Sequence, residues 1–258
     1  MKNTFPALLI MILLGLSPSA SFADVSPSNQ NEAAASFQAV DALARQTRAQ
    51  GDLPRWSIPE HAKVLERFWD VKATLGTQPY TSADVPALLA ISDRAGALYK
   101  TYVLFAPQPG ALPDTASNTS KYQDEISRAA AYLLRVQAAE LEAISDYIKT
   151  LPAAEMNAPR RAGLQQIRLG INEMITNLIL MMRSPALHPV NRDILLNTLG
   201  DSAKVIAATT RRADRAALIA QIDTVLSALT GSQREKALAV KTALENTECA
   251  ALCALEEQ

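Results

Sequence analysis

The chain has 258 residues, 48% of them hydrophobic, with a formal net charge of −1, enough for one or two globular domains. Near-balance of charge argues against nucleic acid as the partner, because phosphate binding needs a basic surplus on one face. With only two histidines, the Ser-His-Asp and Cys-His catalytic arrangements are close to excluded.

Residues 1–23 read as a secretory signal peptide. Lys2 supplies a positive n-region, Phe5 to Leu16 an apolar h-region, and Ser21-Phe22-Ala23 a small-x-small cleavage site. The apolar run is too short and wrongly flanked for a retained anchor. No stable membrane span is expected after cleavage, and no cysteine stands at the junction to carry a lipoprotein anchor. Cleavage removes Lys2 alone among charged residues, leaving 24 basic against 26 acidic side chains, a net −2. The short n-region and Ala-rich remainder point to export in a bacterium, to the periplasm or beyond the cell.

Residues 24–31 are polar and read as a flexible leader. A first helix carries Phe37, Val40, Leu43 and Ala44 inward and stops at Gly51. Ser57-Ile58-Pro59-Glu60 has the form of a capping box opening a second helix, whose stripe is Val64, Phe68, Val71 and Leu75. Thr81 to Asp84 starts a third, with Val85, Leu88, Leu89, Leu98, Tyr102 and Phe105 inward. Pro107, Pro109, Gly110 and Pro113 then mark residues 107–119 as a linker. It divides an aromatic-rich helical subdomain at 32–106 from an aliphatic helical bundle at 120–258.

Residues 120–151 read as one long helix with Ile126, Ala130, Leu133, Leu141, Ile144, Ile148 and Leu151 along one side. Next come Leu164, Ile167, Ile171, Met174, Leu178 and Met181 at steps of three and four, a heptad seam. After Met174 the opposite side is apolar too, through Ile175, Ile179, Leu180 and Met182. A helix apolar nearly all round must be surrounded, so Leu164 to Met182 is expected to be the central strut. Arg168, Asn172, Glu173 and Asn177 interrupt the segment and make lipid the weaker choice of surroundings. Gly163 and Gly170 would let neighbours approach it closely. A sixth helix runs to about Thr210, a seventh carries Leu218, Ile222, Val225 and Leu229, and Ser232 to Glu235 forms a second capping box before the last. The fold class is all-α: a multi-helix bundle of about eight mostly antiparallel helices.

Candidate sites are sparse. Arg211, Arg212 and Arg215 gather at a helix start, where their charge opposes the macrodipole; the compensating anion is either a bound ligand or an internal partner such as Asp214. Trp56 and Tyr80 occupy loops on the aromatic half, suited to ligand contact, although Trp56 also fits a staple over the second helix. Met181, Met182 and His188 are the candidates for a soft metal, with core filling the competing reading. Cys249 and Cys253 either form a disulfide, which would require the last helical turn to unwind, or stand as thiols open to Cu(I). His61 reads as a surface residue, and Glu140 and Glu142 as solvated carboxylates. Gly-x-Ser-x-Gly, Gly-x-Gly-x-x-Gly, the phosphate-cradling loop and His-Glu-x-x-His are all absent. No enzyme and no cofactor are expected. The leading reading is an exported non-catalytic interaction or scaffold module of the cell envelope, its partner another envelope protein or a second copy. The alternative is a periplasmic binding protein for a small anion or a soft metal such as copper.

Overall fold

A computed structural model describes residues 25–108, 110–250 and 252–256; the expected signal peptide lies outside them. Among the described residues the chain is all-helical. In order come α1 (Pro27–Arg48), α2 (Pro59–Trp69), α3 (Val71–Leu75), α4 (Val85–Val103), α5 (Thr115–Lys121), α6 (Gln123–Thr150), α7 (Ala158–Met182), α8 (Pro189–Thr209), α9 (Arg212–Leu226), α10 (Gly231–Asn246) and α11 (Leu252–Glu256). Eight of these have 11 residues or more; α3, α5 and α11 have five to seven. The short ones are what the hydrophobic period could not reveal, since a pattern needs two or more turns to show.

Local chemistry redraws several boundaries. The expected leader is largely helix. Ser26 caps α1 by accepting the Asn29 N–H, and Pro27 sits in the first turn, where its missing N–H costs nothing. The Val25 N–H is held by the buried Asp84 carboxylate, which also accepts from the Thr81 N–H at 2.7 Å. The Ser57 capping box does not form: Ile58 occupies the cap position of α2 and Pro59 the first turn. The Ser232 box fails likewise, because Gly231 already belongs to α10. Asp70 breaks the second helix in two by turning extended and accepting the Ala73 N–H at 3.0 Å. The expected linker is half irregular and half helix. Asp114 caps α5, and Asn118 donates to the Phe105 carbonyl at 2.7 Å, tying α5 to the end of α4.

The centre of the molecule is α6, not the expected strut. α4 packs along one side of α6 and α8 along another, while α7 packs chiefly on α9. α7 buries Leu164, Ile171, Met174, Leu178 and Met182 but leaves Leu169 and Leu180 42% and 48% exposed. No residue comes within 4 Å of a Cβ built on Gly170, so that glycine admits no neighbour. Aromatic contacts bind the first helices to α6: Phe37, Phe68 and Tyr132 follow one another with ring centres 5.9 and 5.0 Å apart. The Tyr132 hydroxyl donates to Thr74 Oγ1 at 2.8 Å. No helix among the described residues is long and apolar enough to cross a membrane.

Glu140 is fully enclosed on α6 rather than solvated. Loss of water pushes its carboxyl up to about 8 from the ordinary 4.5, although a hydrogen bond with the Ser92 side chain works the other way. A carboxyl held protonated in this way stabilises the fold fully below its unfolded pKa, and that contribution drains away as pH rises toward 8. The wild-type melting temperature should therefore fall from pH 5 to 8, by at most about 1.4 kcal/mol of stability per pH unit. Glu140→Gln, read by circular dichroism melts, should be flat across that window. A wild type equally flat would mean the carboxyl is not buried as described.

Candidate functional site

A cleft of about 500 Å³ is walled by α2, α6 and α8. Its floor is aromatic. Trp56, from the loop before α2, and Trp69, the last residue of α2, lie with ring centres 5.6 Å apart and planes tilted by 37°. The Arg128 guanidinium, from α6, lies 4.1 Å from the centre of the Trp56 ring. Burial lowers the Arg128 pKa, and neighbouring Asp124, Glu125 and Glu66 pull it the other way. Arg135 stands about two turns further along α6 and pairs with Asp201 of α8 at 2.9 Å. Glu66 and Asp70 supply acid on the α2 side, and Asn197 an amide from α8. Both tryptophans pack on the core yet stay partly exposed.

The loop that presents Trp56 is fixed from beneath. Buried Glu125 accepts the Trp56 backbone N–H and pairs with Arg55 at 3.5 Å. Burial raises the Glu125 carboxyl, against the pull of these donors. The Tyr102 hydroxyl donates to the Pro54 carbonyl at 2.9 Å, and the Tyr122 hydroxyl to Asp52 at 2.6 Å. His61, expected at the surface, accepts the Arg55 N–H on Nδ1 at 3.1 Å and is part of the same clamp. A ten-residue loop, residues 49–58, held at this many points is preorganised.

The other sequence candidates are dispersed. Tyr80 lines a separate cleft of about 310 Å³ with Glu142, Asp146 and Lys149. Burial, with the charges of Glu142 and Asp84, pushes its phenol up to about 12. Arg128 and Glu142 are four turns apart on α6, about 21 Å, so Trp56 and Tyr80 do not share a site. Arg211 and buried Arg168 both bind Asp214, while buried Arg215 donates to the Leu244 and Thr247 carbonyls at 3.4 and 2.5 Å, capping the end of α10. Arg211 and Arg215 thus serve internal partners. Arg212 is exposed on a cleft of about 390 Å³ that Glu245 and Glu248 also line, poor company for an anion. Met182 is buried in the core and Met181 half-buried, whereas His188 is exposed, 3.6 Å from Asp124. Among the described residues no three His, Cys, Asp or Glu side chains group around a metal-sized space. Cys249 and Cys253 form a disulfide, their Cα atoms 5.4 Å apart. It lies between the end of α10 and the start of α11, where the backbone is not continuous helix.

No family model matches the chain, and no curated protein or solved structure does either.

Trp69, Arg128 and Asn197 were missed by sequence reasoning. Trp69 ends an amphipathic helix and reads as one more stripe residue; Arg128 and Asn197 line the cleft with residues that lie far from them in the chain, Trp69 and Arg128 being 59 positions apart and Arg128 and Asn197 69. The one available signal was that the sequence holds just two tryptophans, 13 positions apart around a single capped helix.

Glu125→Ala should cost about 1–3 kcal/mol in urea unfolding and shift tryptophan emission to the red as the Trp56 loop loosens. Unchanged emission would show that the loop is held without it. Arg215→Met should cost about 2 kcal/mol through its lost carbonyl bonds, and Arg212→Met no more than about 0.5. Equal losses would return the arginine cluster to consideration as a functional unit.

Proposed function

We propose that this is an exported, non-catalytic helical-bundle protein of the bacterial cell envelope, acting as an interaction module through the Trp56–Trp69 cleft. The observation that carries the reading is that both tryptophans of the chain meet in one solvent-open concavity, Trp69 from the end of α2 and Trp56 from a loop fixed by buried Glu125. Partly exposed aromatic rings on a rigid support are the usual anchor of a contact surface. Export is supported by the signal-peptide pattern of residues 1–23 and by a disulfide, which persists in oxidising compartments.

A binding role suits the lining better than a catalytic one. The Tyr132 hydroxyl is engaged with Thr74, the Thr198 hydroxyl with the Ile194 carbonyl at 2.9 Å, and Asp70 with a backbone N–H. What the cleft offers a guest is ring surface, guanidiniums, carboxylates and an amide. A broad apolar face, the mark of a flat protein partner, is not what the described surface carries. Its large exposed hydrophobics are scattered: Ile58, Leu112, Val190 and Leu238 come from separate elements, and Leu169 and Leu180 of α7 lie about three turns apart.

The test is co-sedimentation of the exported protein with three envelope fractions: membrane vesicles, purified cell-wall sacculi and soluble periplasmic extract. One fraction should retain wild type at least tenfold better than Trp56→Ala and Trp69→Ala variants of matching far-ultraviolet dichroism. Equal retention of all three proteins, or retention of none, overturns the reading.

A further inference from the structure

The charged side chains lining the tryptophan cleft cancel: Glu66 and Asp70 stand against Arg128 and Arg135. An anionic guest would meet both carboxylates and a cationic guest both guanidiniums, so the lining discriminates against net charge of either sign. A purely apolar guest is disfavoured as well, because it would strip water from Glu66, Arg128 and Asn197 without replacing its hydrogen bonds. The guest that remains is uncharged, has a flat C–H face for indole, and carries donors and acceptors around its edge.

A sugar ring has that make-up. Its axial C–H bonds form an apolar face, and its equatorial hydroxyls both donate and accept. Guanidiniums only donate, ionised carboxylates only accept, and the Asn197 amide does both; a ring edged with hydroxyls, each able to donate and accept, satisfies the whole set while its C–H face covers the indoles. The volume of about 500 Å³ falls within the range of small-ligand sites, about 300–1,000 Å³. The tryptophan floor is also fixed before any guest arrives, through Arg128 against Trp56 and Glu125 beneath it, so little side-chain ordering opposes binding.

We propose that this cleft binds a neutral saccharide, a short stretch of a free or polymeric glycan. The proposal rests on the reading that the cleft is the contact surface, and it names what is contacted. Because the two tryptophans both line the cleft, intrinsic fluorescence reports its occupancy directly.

The experiment titrates the exported protein with cellobiose, maltose and N,N′-diacetylchitobiose, and with digalacturonate and choline as charged probes, each to ~20 mM, a range that captures weak saccharide affinities. Insoluble cellulose, starch and chitin form a second arm that separates recognition of the polymer from recognition of the free sugar. At least one neutral disaccharide should give a saturable emission change, with digalacturonate and choline silent. Trp69→Ala should weaken that binding at least tenfold, read on the remaining Trp56. If the alanine variant fails to fold, Trp69→Phe keeps a ring against the core, and Glu66→Gln, at an exposed position, tests the rim; each should weaken binding threefold or more. Silence of every neutral sugar in both arms, tighter binding of a charged probe, or binding indifferent to all these variants overturns the proposal. If envelope retention depends on the tryptophans while every saccharide is silent, the contact surface stands and only the saccharide falls. If retention is also lost as a distinction, both fall.

Discussion

The constraint on which the structure depends is that α6 is enclosed on two sides, by α4 and by α8. Its sequence makes this possible through alanine. Ala129, Ala130, Ala131, Ala139 and Ala143 are all buried, and small side chains let both neighbours approach while Leu134, Leu141 and Ile144 fill the space between. Alanine is also the best intrinsic helix former, so the residues that permit close packing also favour the 28-residue helix that the packing needs. Each large aliphatic group enclosed there contributes about 1.5–3 kcal/mol relative to exposure. The aromatic contacts of Phe37, Phe68 and Tyr132 then attach the first helices to the same axis.

Centrality imposes a cost on polar groups, and α6 carries two carboxylates inside. They are handled differently. Glu125 stays useful by accepting a backbone N–H and facing Arg55, which makes it the support of the Trp56 loop. Glu140 is driven toward the neutral acid by complete burial, helped by the charge of nearby Asp93 and opposed only by one hydrogen bond with the Ser92 side chain. A buried carboxylate facing a cation and a backbone N–H orders the chain around it; one with a single hydroxyl partner is pushed toward losing its charge.

How much of this was legible in the chain follows from the same physics. Helical class and the eight long helices follow from apolar period, because that signal accumulates over several turns. The identity of the central helix does not. The second half of α7 is rich in Ile, Leu and Met and looks the more buried. Alanine scores as nearly neutral, so α6 shows one stripe where it buries two faces. Leu180, half exposed, is the residue at which the all-round reading of α7 fails. Capping boxes were legible only where the neighbouring residue allowed them. Thr81 and Asp84 form theirs, whereas Ser57 and Ser232 each lose the cap position to the residues beside them. Trp56 could be picked out as a loop aromatic, but its partners could not, since Trp69, Arg128 and Asn197 meet only after α2, α6 and α8 have packed.

The uneven distribution of aromatics takes on a different meaning once the cleft is drawn. Every Trp, Phe and Tyr lies at or before Tyr147, which makes the remaining aliphatic helices look like a spacer. Yet the far wall of the cleft is α8, through Ile194, Asn197 and Thr198, and α8 is also the helix that closes the second side of α6. The aliphatic half therefore contributes both the enclosure that fixes α6 and the polar wall opposite the tryptophans. Loosening α8 would move Asn197 away from Trp69 while also exposing the helix from which Glu125 and Arg128 project. Rigidity of the bundle and geometry of the cleft are consequently one property, because the same helix faces supply both.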